Sequence, residues 1–182
     1  NFNVKIAGAH SGISVGADGA THQALEEIPL MYYLTNMTIE VPCDSIETQK
    51  STFAITTFDG PGYIRYVREA TPVVTKPDTV FEFGLANVIR FRQVQPDFID
   101  AFEIFLSSGY KNEKEDICIV ACGPMVAEAM RAAWILKQEY NVETRIINIH
   151  TVKPIDREVL VKAAGEIGKL LTVEEQQVGG FG

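Results

Sequence analysis

Six consecutive apolar residues, Ile117-Cys118-Ile119-Val120-Ala121-Cys122, followed at once by Gly123-Pro124, constrain this chain more than any other stretch. A strand that is apolar at every position has no face to turn to water, so it belongs inside a parallel sheet covered on both sides. Gly123-Pro124 opens a helix, with proline in the first turn where its missing amide would have had no partner. Val126, Ala129, Met130, Ala133, Trp134, Leu136 and Tyr140 then recur at the helical period and predict one core-facing stripe, Trp134 included. A strand over 144–149, a helix that opens at Lys153-Pro154-Ile155-Asp156 and ends near Gly168, and a last strand over 169–173 complete the unit. Strands and helices that alternate with short links imply parallel strands joined by right-handed crossovers.

The first half alternates in the same way. A strand over 4–8 leads into a glycine-rich loop, and a helix is expected from Thr21, its N-cap, to an end near Ile28, where Pro29 removes a backbone donor. Residues 37–41 read as a strand closed by Pro42. Asp44 followed three residues later by Glu47 is a capping box for a helix running to about Phe58. Asp59-Gly60-Pro61-Gly62 is a turn, and a strand over 63–67 ends at Arg68. Residues 69–77 read as an exposed connector, 81–91 as a strand pair or hairpin, 98–106 as a short helix and 107–115 as a polar loop. The predicted fold is therefore α/β, with two three-layer units and mostly parallel sheets, divided into 1–75 and 76–182.

Bulk properties exclude several classes of function. The formal charge is −8 and the 16 basic residues are scattered, which argues against a nucleic-acid groove. No apolar run approaches the length of a membrane span and no signal-peptide pattern occurs, so the expectation is a cytoplasmic protein without a membrane partner. The odd count of three cysteines, Cys43, Cys118 and Cys122, argues against a disulfide framework, and their spacing builds no tetrahedral metal site. A start at Asn1 and a stop on Gly179-Gly180-Phe181-Gly182 give the chain the look of a piece of something longer.

Chemistry concentrates between His10 and His22, where two of the three histidines, Asp18, and glycines 12, 16 and 19 share one loop. Such a set can bind a metal, relay protons or hold a polyhydroxy substrate by hydrogen bonds. The plain alternative is that His10 ends a strand, Asp18 caps a turn and His22 sits exposed. In parallel sheets, ligand loops lie at the carboxyl ends of strands, and both this loop and Arg68 fall there. Arg65 reads as a surface or strand-edge residue, and His150 as structural. Glu174 and Glu175, adjacent on a strand, should point to opposite faces rather than act as a pair.

The stretch from Gly12 to Ile28, Gly-Ile-Ser-Val-Gly-Ala-Asp-Gly-Ala-Thr-His-Gln-Ala-Leu-Glu-Glu-Ile, closely resembles the signature of the transketolase family of thiamine diphosphate enzymes. Val41-Pro42-Cys43-Asp44 with Glu47, then Gly60-Pro61 and Tyr63-Ile64-Arg65 with Arg68, follow in order. Ala121-Cys122-Gly123, Lys153-Pro154-Ile155-Asp156 and Val173-Glu174-Glu175 with Gly179-Gly180 resemble the family's C-terminal domain. The likeness is nearest to the C-terminal subunit of split bacterial transketolases.

That resemblance implies transfer of a two-carbon ketol unit from a ketose phosphate to an aldose phosphate. It makes His10, Asp18, His22 and Arg68 substrate contacts, with His10 and His22 also as catalytic candidates. Asp18 would hold the hydroxyl at the donor's second carbon and His22 the oxygens at its reactive end, while His10 and Arg68 face the phosphate, which suits the arginine fork. Thiamine diphosphate and Mg2+ belong to the complete enzyme. Neither is expected on this chain alone, because the family's catalytic glutamate and its Gly-Asp-Gly diphosphate motif are absent from it. The implied partners are sugar phosphates, a second copy in a homodimer, and an N-terminal thiamine diphosphate-binding subunit or domain. Ala17 departs toward deoxyxylulose phosphate synthases, whereas His10 departs away from them, so such a synthase is one alternative and a non-catalytic dimerisation domain another. The long stretch 92–115 is expected to be an insertion at the surface.

Overall fold

The computed structural model describes residues 2–182. Two sheets stand side by side. In the first, β1 (Lys5–Ala9) and β2 (Thr38–Glu40) flank β3 (Gly62–Tyr66), both parallel to it. In the second, β6 (Ile117–Ala121) lies between β7 (Thr144–Asn148) and β9 (Leu170–Val173), again parallel, as an all-apolar strand requires. The hairpin β4 (Asn87–Phe91) and β5 (Phe102–Leu106) adds two antiparallel strands beyond β7. The second half also lends β8 (Thr151–Lys153) to the first sheet, antiparallel to β2.

That loan joins the halves. Val41 donates its amide to the His150 carbonyl at 2.7 Å, and Gly123 donates to the Val41 carbonyl at 3.2 Å. One apolar core runs through both, with Ile39 and Tyr63 of the first sheet packed in the same cluster as Val88, Val120 and Ile147 of the second. A second cluster, centred on Ile89, Ile119, Met130 and Ile146, lies on the other face of the second sheet. The helices are α1 (Glu27–Tyr32), α2 (Ser45–Thr57), α3 (Met125–Tyr140) and α4 (Arg157–Ile167). Asp44 caps α2 by accepting the Glu47 amide at 2.8 Å, while the Glu47 carboxylate reaches back to the Cys43 amide at 2.7 Å, one residue earlier than an ordinary capping box. No helix is long and apolar enough to cross a membrane.

Several local expectations fail for identifiable reasons. No helix begins at Thr21: Ala24 pairs with Ser11 and its carbonyl accepts the Gly12 amide at 2.8 Å, which holds the segment against the loop base, so the helix starts only at Glu27. Pro29 then lies in the first turn, where its missing donor is harmless, and the helix continues to Tyr32. Residues 98–106 form a short 3-10 turn and a strand, because Phe102 packs on Phe91 and Phe98 while β4 supplies a full ladder. The connector 69–77 is not wholly exposed, since Val74 and Thr75 are buried against Asp44.

Trp134 and Tyr140 lie at the surface, and the buried stripe of α3 is Val126, Ala127, Ala129, Met130 and Ala133. Both share the angular sector of that stripe, but they lie in the C-terminal part of α3, where no residue after Ala133 is buried. The stretch 92–115 is more than a surface insertion. Tyr110 and Glu115 are buried, and Glu115 accepts from Arg145 at 2.8 Å.

Candidate functional site

Because β1 and β3 are parallel and in register, with Ala9 level with Tyr66, their following loops leave the sheet side by side. The His10 amide donates to the Tyr66 carbonyl at 3.0 Å and fixes that alignment. Three of the four candidate residues sit on the first loop and Arg68 on the second. Arg68 forms an ion pair with Asp18 across the gap, both side chains about 40% exposed (39% and 40%), and its Nη1 also approaches the Val15 carbonyl. His22 is exposed, with Nδ1 at 2.9 Å from Thr21 Oγ1. His10 is also exposed and holds φ at 63°, a left-handed conformation that costs a non-glycine residue energy. The fold thus brings Asp18 and Arg68 into contact and leaves both histidines exposed on the same loop. No hydrogen bond joins either histidine to that pair among the described residues.

Beneath the rim lies a residue that sequence reasoning misplaced. Arg65 is not at the surface; it is 2% exposed. Its Nε donates to Ser11 Oγ at 2.8 Å and to Glu27 Oε1 at 3.0 Å, and its Nη2 donates to the Ser11 carbonyl at 2.8 Å and to Glu175 Oε2 at 2.5 Å. Burial follows from what closes over it: β3 is an interior strand of the four-stranded sheet, and Ser11, Glu27 and Glu175 enclose the Arg65 side chain where it leaves the sheet. The only cue in the sequence is parity, since Arg65 lies two residues from the buried Tyr63 and shares its face. Glu175 joins Arg65, while Glu174 accepts the amides of Phe181 and Gly182 at 2.8 and 3.0 Å, so the two acids do point apart.

The other chemistry-bearing groups are ruled out as nucleophiles or ligands by their surroundings. Burial pushes the thiols of Cys43, Cys118 and Cys122 upward, Cys118 to about 12, so all three stay protonated near neutrality. His150 is fully buried and stacks on Phe81, and desolvation lowers its pKa to about 4, which makes it a neutral structural ring. Among the described residues no group of three or more His, Cys, Asp or Glu side chains converges on a point that a metal could occupy. A cavity of about 570 Å3 opens at the other end of the first sheet beside Met37, Thr38 and Pro61, and none of the four candidate residues lines it.

The chain is similar to known proteins over nearly its whole length. Residues 1–73 match the transketolase pyrimidine-binding domain, and residues 109–182 the transketolase C-terminal domain. One of the subunits of an apulose-4-phosphate transketolase from Phocaeicola vulgatus is 33% identical over 99% of this chain and 51% of its own length. The SqwH subunit of a 6-deoxy-6-sulfo-D-fructose transketolase from a Clostridium species is 32% identical over 100% of this chain and 49% of its own. The chain therefore spans about half the length of these curated relatives. Among solved structures, a split-gene transketolase described as an inactive beta4 tetramer superposes with a TM-score of 0.76 at 36% identity, over 98% of this chain and 50% of that one. With two transketolase domains matched in tandem and a solved relative of the same fold, the chain belongs to the transketolase family.

Proposed function

We propose that this chain is part of a split transketolase and forms the sugar-gripping wall of its active site, the rest being supplied by an N-terminal subunit and by a second copy of the chain. The observation that carries the proposal is the side-by-side exit of two loops at the carboxyl ends of β1 and β3, which pairs Asp18 with Arg68 on a loop that also carries the exposed His10 and His22. Polar groups spaced along a rim suit a substrate bearing a hydroxyl on each carbon and a phosphate at one end. Each pairing rejects an analogue that lacks the matching group. Arg68 supplies a planar fork for the phosphate, and Asp18, freed from Arg68 by an arriving phosphate, can accept from a donor hydroxyl.

Thiamine diphosphate, when bound to the complete enzyme, supplies the carbon nucleophile that carries the ketol unit. The residues present in this chain do not fit a metal–diphosphate group, since no acidic or histidine cluster converges among the described residues. In this reading that group rests on the partner, and the task of this chain is to bind and orient sugar. A similar split-gene subunit assembled only with its own kind is described as inactive, which supports this division of labour.

The test gives the full-length protein and its partner xylulose 5-phosphate with ribose 5-phosphate. Sedoheptulose 7-phosphate is the expected product. Deoxyxylulose phosphate from pyruvate and glyceraldehyde 3-phosphate would instead identify a synthase, and no product from either pair would identify a non-catalytic module. In the active assembly Asp18→Ala should lower donor kcat/KM by about 10- to 100-fold, the value of one buried hydrogen bond. Its half-exposed ion pair contributes little to folding, so stability should change by less than about 1 kcal/mol. An unfolded Asp18→Ala chain would make Asp18 structural.

A further inference from the structure

Behind the rim, the segment that follows β9 closes against the segment that precedes α1. Glu175 takes the Arg65 fork, Gln176 Nε2 donates to Glu27 Oε1 at 2.8 Å, Gln177 Nε2 donates to Glu26 Oε1 at 2.6 Å, and the Gln177 amide reaches the Leu25 carbonyl at 3.4 Å. Residues from opposite ends of the chain thus form a continuous seam. Arg65 is its centre, because its remaining donors hold Ser11, the residue at which the 10–22 loop begins its first turn.

Gly12 shows how closely this fit is made. Its φ is 91°, its amide donates to the Ala24 carbonyl at 2.8 Å and so closes the loop at its base, and a Cβ there would run into the Arg65 guanidinium and the Glu175 carboxylate. The loop therefore stands directly on the ion pair. Two carboxylates face one guanidinium, with side-chain exposures of 1% for Arg65, 11% for Glu27 and 3% for Glu175. Shielded from water and with no competing cation among the described residues, they hold the fork in one orientation.

We propose that Arg65 is a positioning residue which, by bridging Ser11 to Glu175 of the C-terminal half, sets the height and angle of the rim that grips the sugar. It touches no substrate. Its effect passes through the loop backbone, so the C-terminal half contributes to substrate fit without supplying a contact. Lysine cannot replace it, since a single ammonium does not span Ser11 and Glu175 together. This inference rests on the rim being a sugar site, but the seam itself can be read without turnover.

The test uses the full-length protein with its partner, as wild type, Arg65→Lys and Glu175→Gln. Arg65→Lys keeps the charge, and Glu175→Gln keeps an acceptor oxygen and removes one of two buried negative charges, so both should fold. In both variants, amide exchange over residues 11–24 should accelerate at least about tenfold while β6 keeps its protection. Donor KM should rise about tenfold with kcat within about twofold. Unchanged exchange in the loop, loss of protection in loop and β6 together, or an unchanged donor KM would each overturn the inference. If the wild-type assembly makes no sugar product, the sugar-site reading fails, and loop exchange alone then decides whether Arg65 positions the loop.

Discussion

Raising the pH from 5.5 to 8.5 is expected to destabilise this fold by on the order of 4 kcal/mol. The cause is a pair of buried acids at the junction of the halves. Glu40, on β2, is 0% exposed; one of its oxygens accepts from Ser51, and the other has no partner. Desolvation, and then the neighbouring Glu47, push its pKa up to about 8. Glu47 rises to about 7, again mainly through burial, opposed by its bonds from Cys43 and Asn148. Neither acid has an ion-pair partner among the described residues.

The folded chain holds both protons well above pH 4.5, where the unfolded chain releases them. Their stabilising contribution is complete below about pH 4.5 and is lost as pH climbs through 7 and 8. His150 opposes this over part of the range. Buried and lowered to about 4, it gains stability as pH rises toward 6.5 and offsets one of the two protons there. Urea midpoints at pH 5.5, 7 and 8.5 measure the net effect. Glu40→Gln, which mimics the protonated acid, should leave the midpoint near pH 5.5 almost unchanged and raise it at 8.5. An equal pH dependence in wild type and variant would sink the assignment to Glu40.

The second large effect is expected from Asp44→Ala. One Asp44 oxygen caps α2 through the Glu47 amide at 2.8 Å and also accepts from Thr75 Oγ1 at 2.9 Å. The other accepts the amides of Val74 and Thr75 at 2.8 and 2.6 Å. All four donors are buried or lie in the capped turn. Removing the carboxylate costs about 1 kcal/mol for the cap and roughly 1–3 kcal/mol for each buried amide left unpaired. The expected loss is on the order of 4 kcal/mol in urea unfolding. Asp44→Asn should recover about the value of the cap alone, since its amide nitrogen cannot accept from Val74 and Thr75. A loss below about 1 kcal/mol for the alanine variant would show that water replaces the carboxylate and that the connector is not docked.

Asp44 also marks how far local pattern reaches. Its role as a cap, accepting the amide three residues on, is legible, because a cap is written within one turn of chain. Its hold on Val74 and Thr75 is not, because that partner lies 30 residues away and the polar, proline-bearing connector has the composition of an exposed loop. The missed helix start at Thr21 has a related cause. Spacing of apolar residues predicts a helix, but Ala24 pairs back with Ser11 and Gly12, a contact across the loop that the local pattern does not carry. At 98–106, aromatic residues fit either a helix or a strand, and only the presence of β4 as a pairing partner made it a strand.

The sequence by itself determined the elements whose causes are local: the all-apolar β6, the glycine-proline opening toward α3, the Asp44 cap, and a loop that carries His10, Asp18 and His22 at the end of a strand. Tertiary structure alone decided what those elements meet. It paired Arg68 with Asp18, buried Arg65 between Ser11 and Glu175 at separations of 54 and 110 residues, and left Glu40 in the core without a counterion. Hydrogen bonds and ion pairs act over a few ångströms in space and carry no trace in the spacing of residues along the chain. Whether an arginine is a surface charge or a buried bridge depends on which groups from distant parts of the chain close over it.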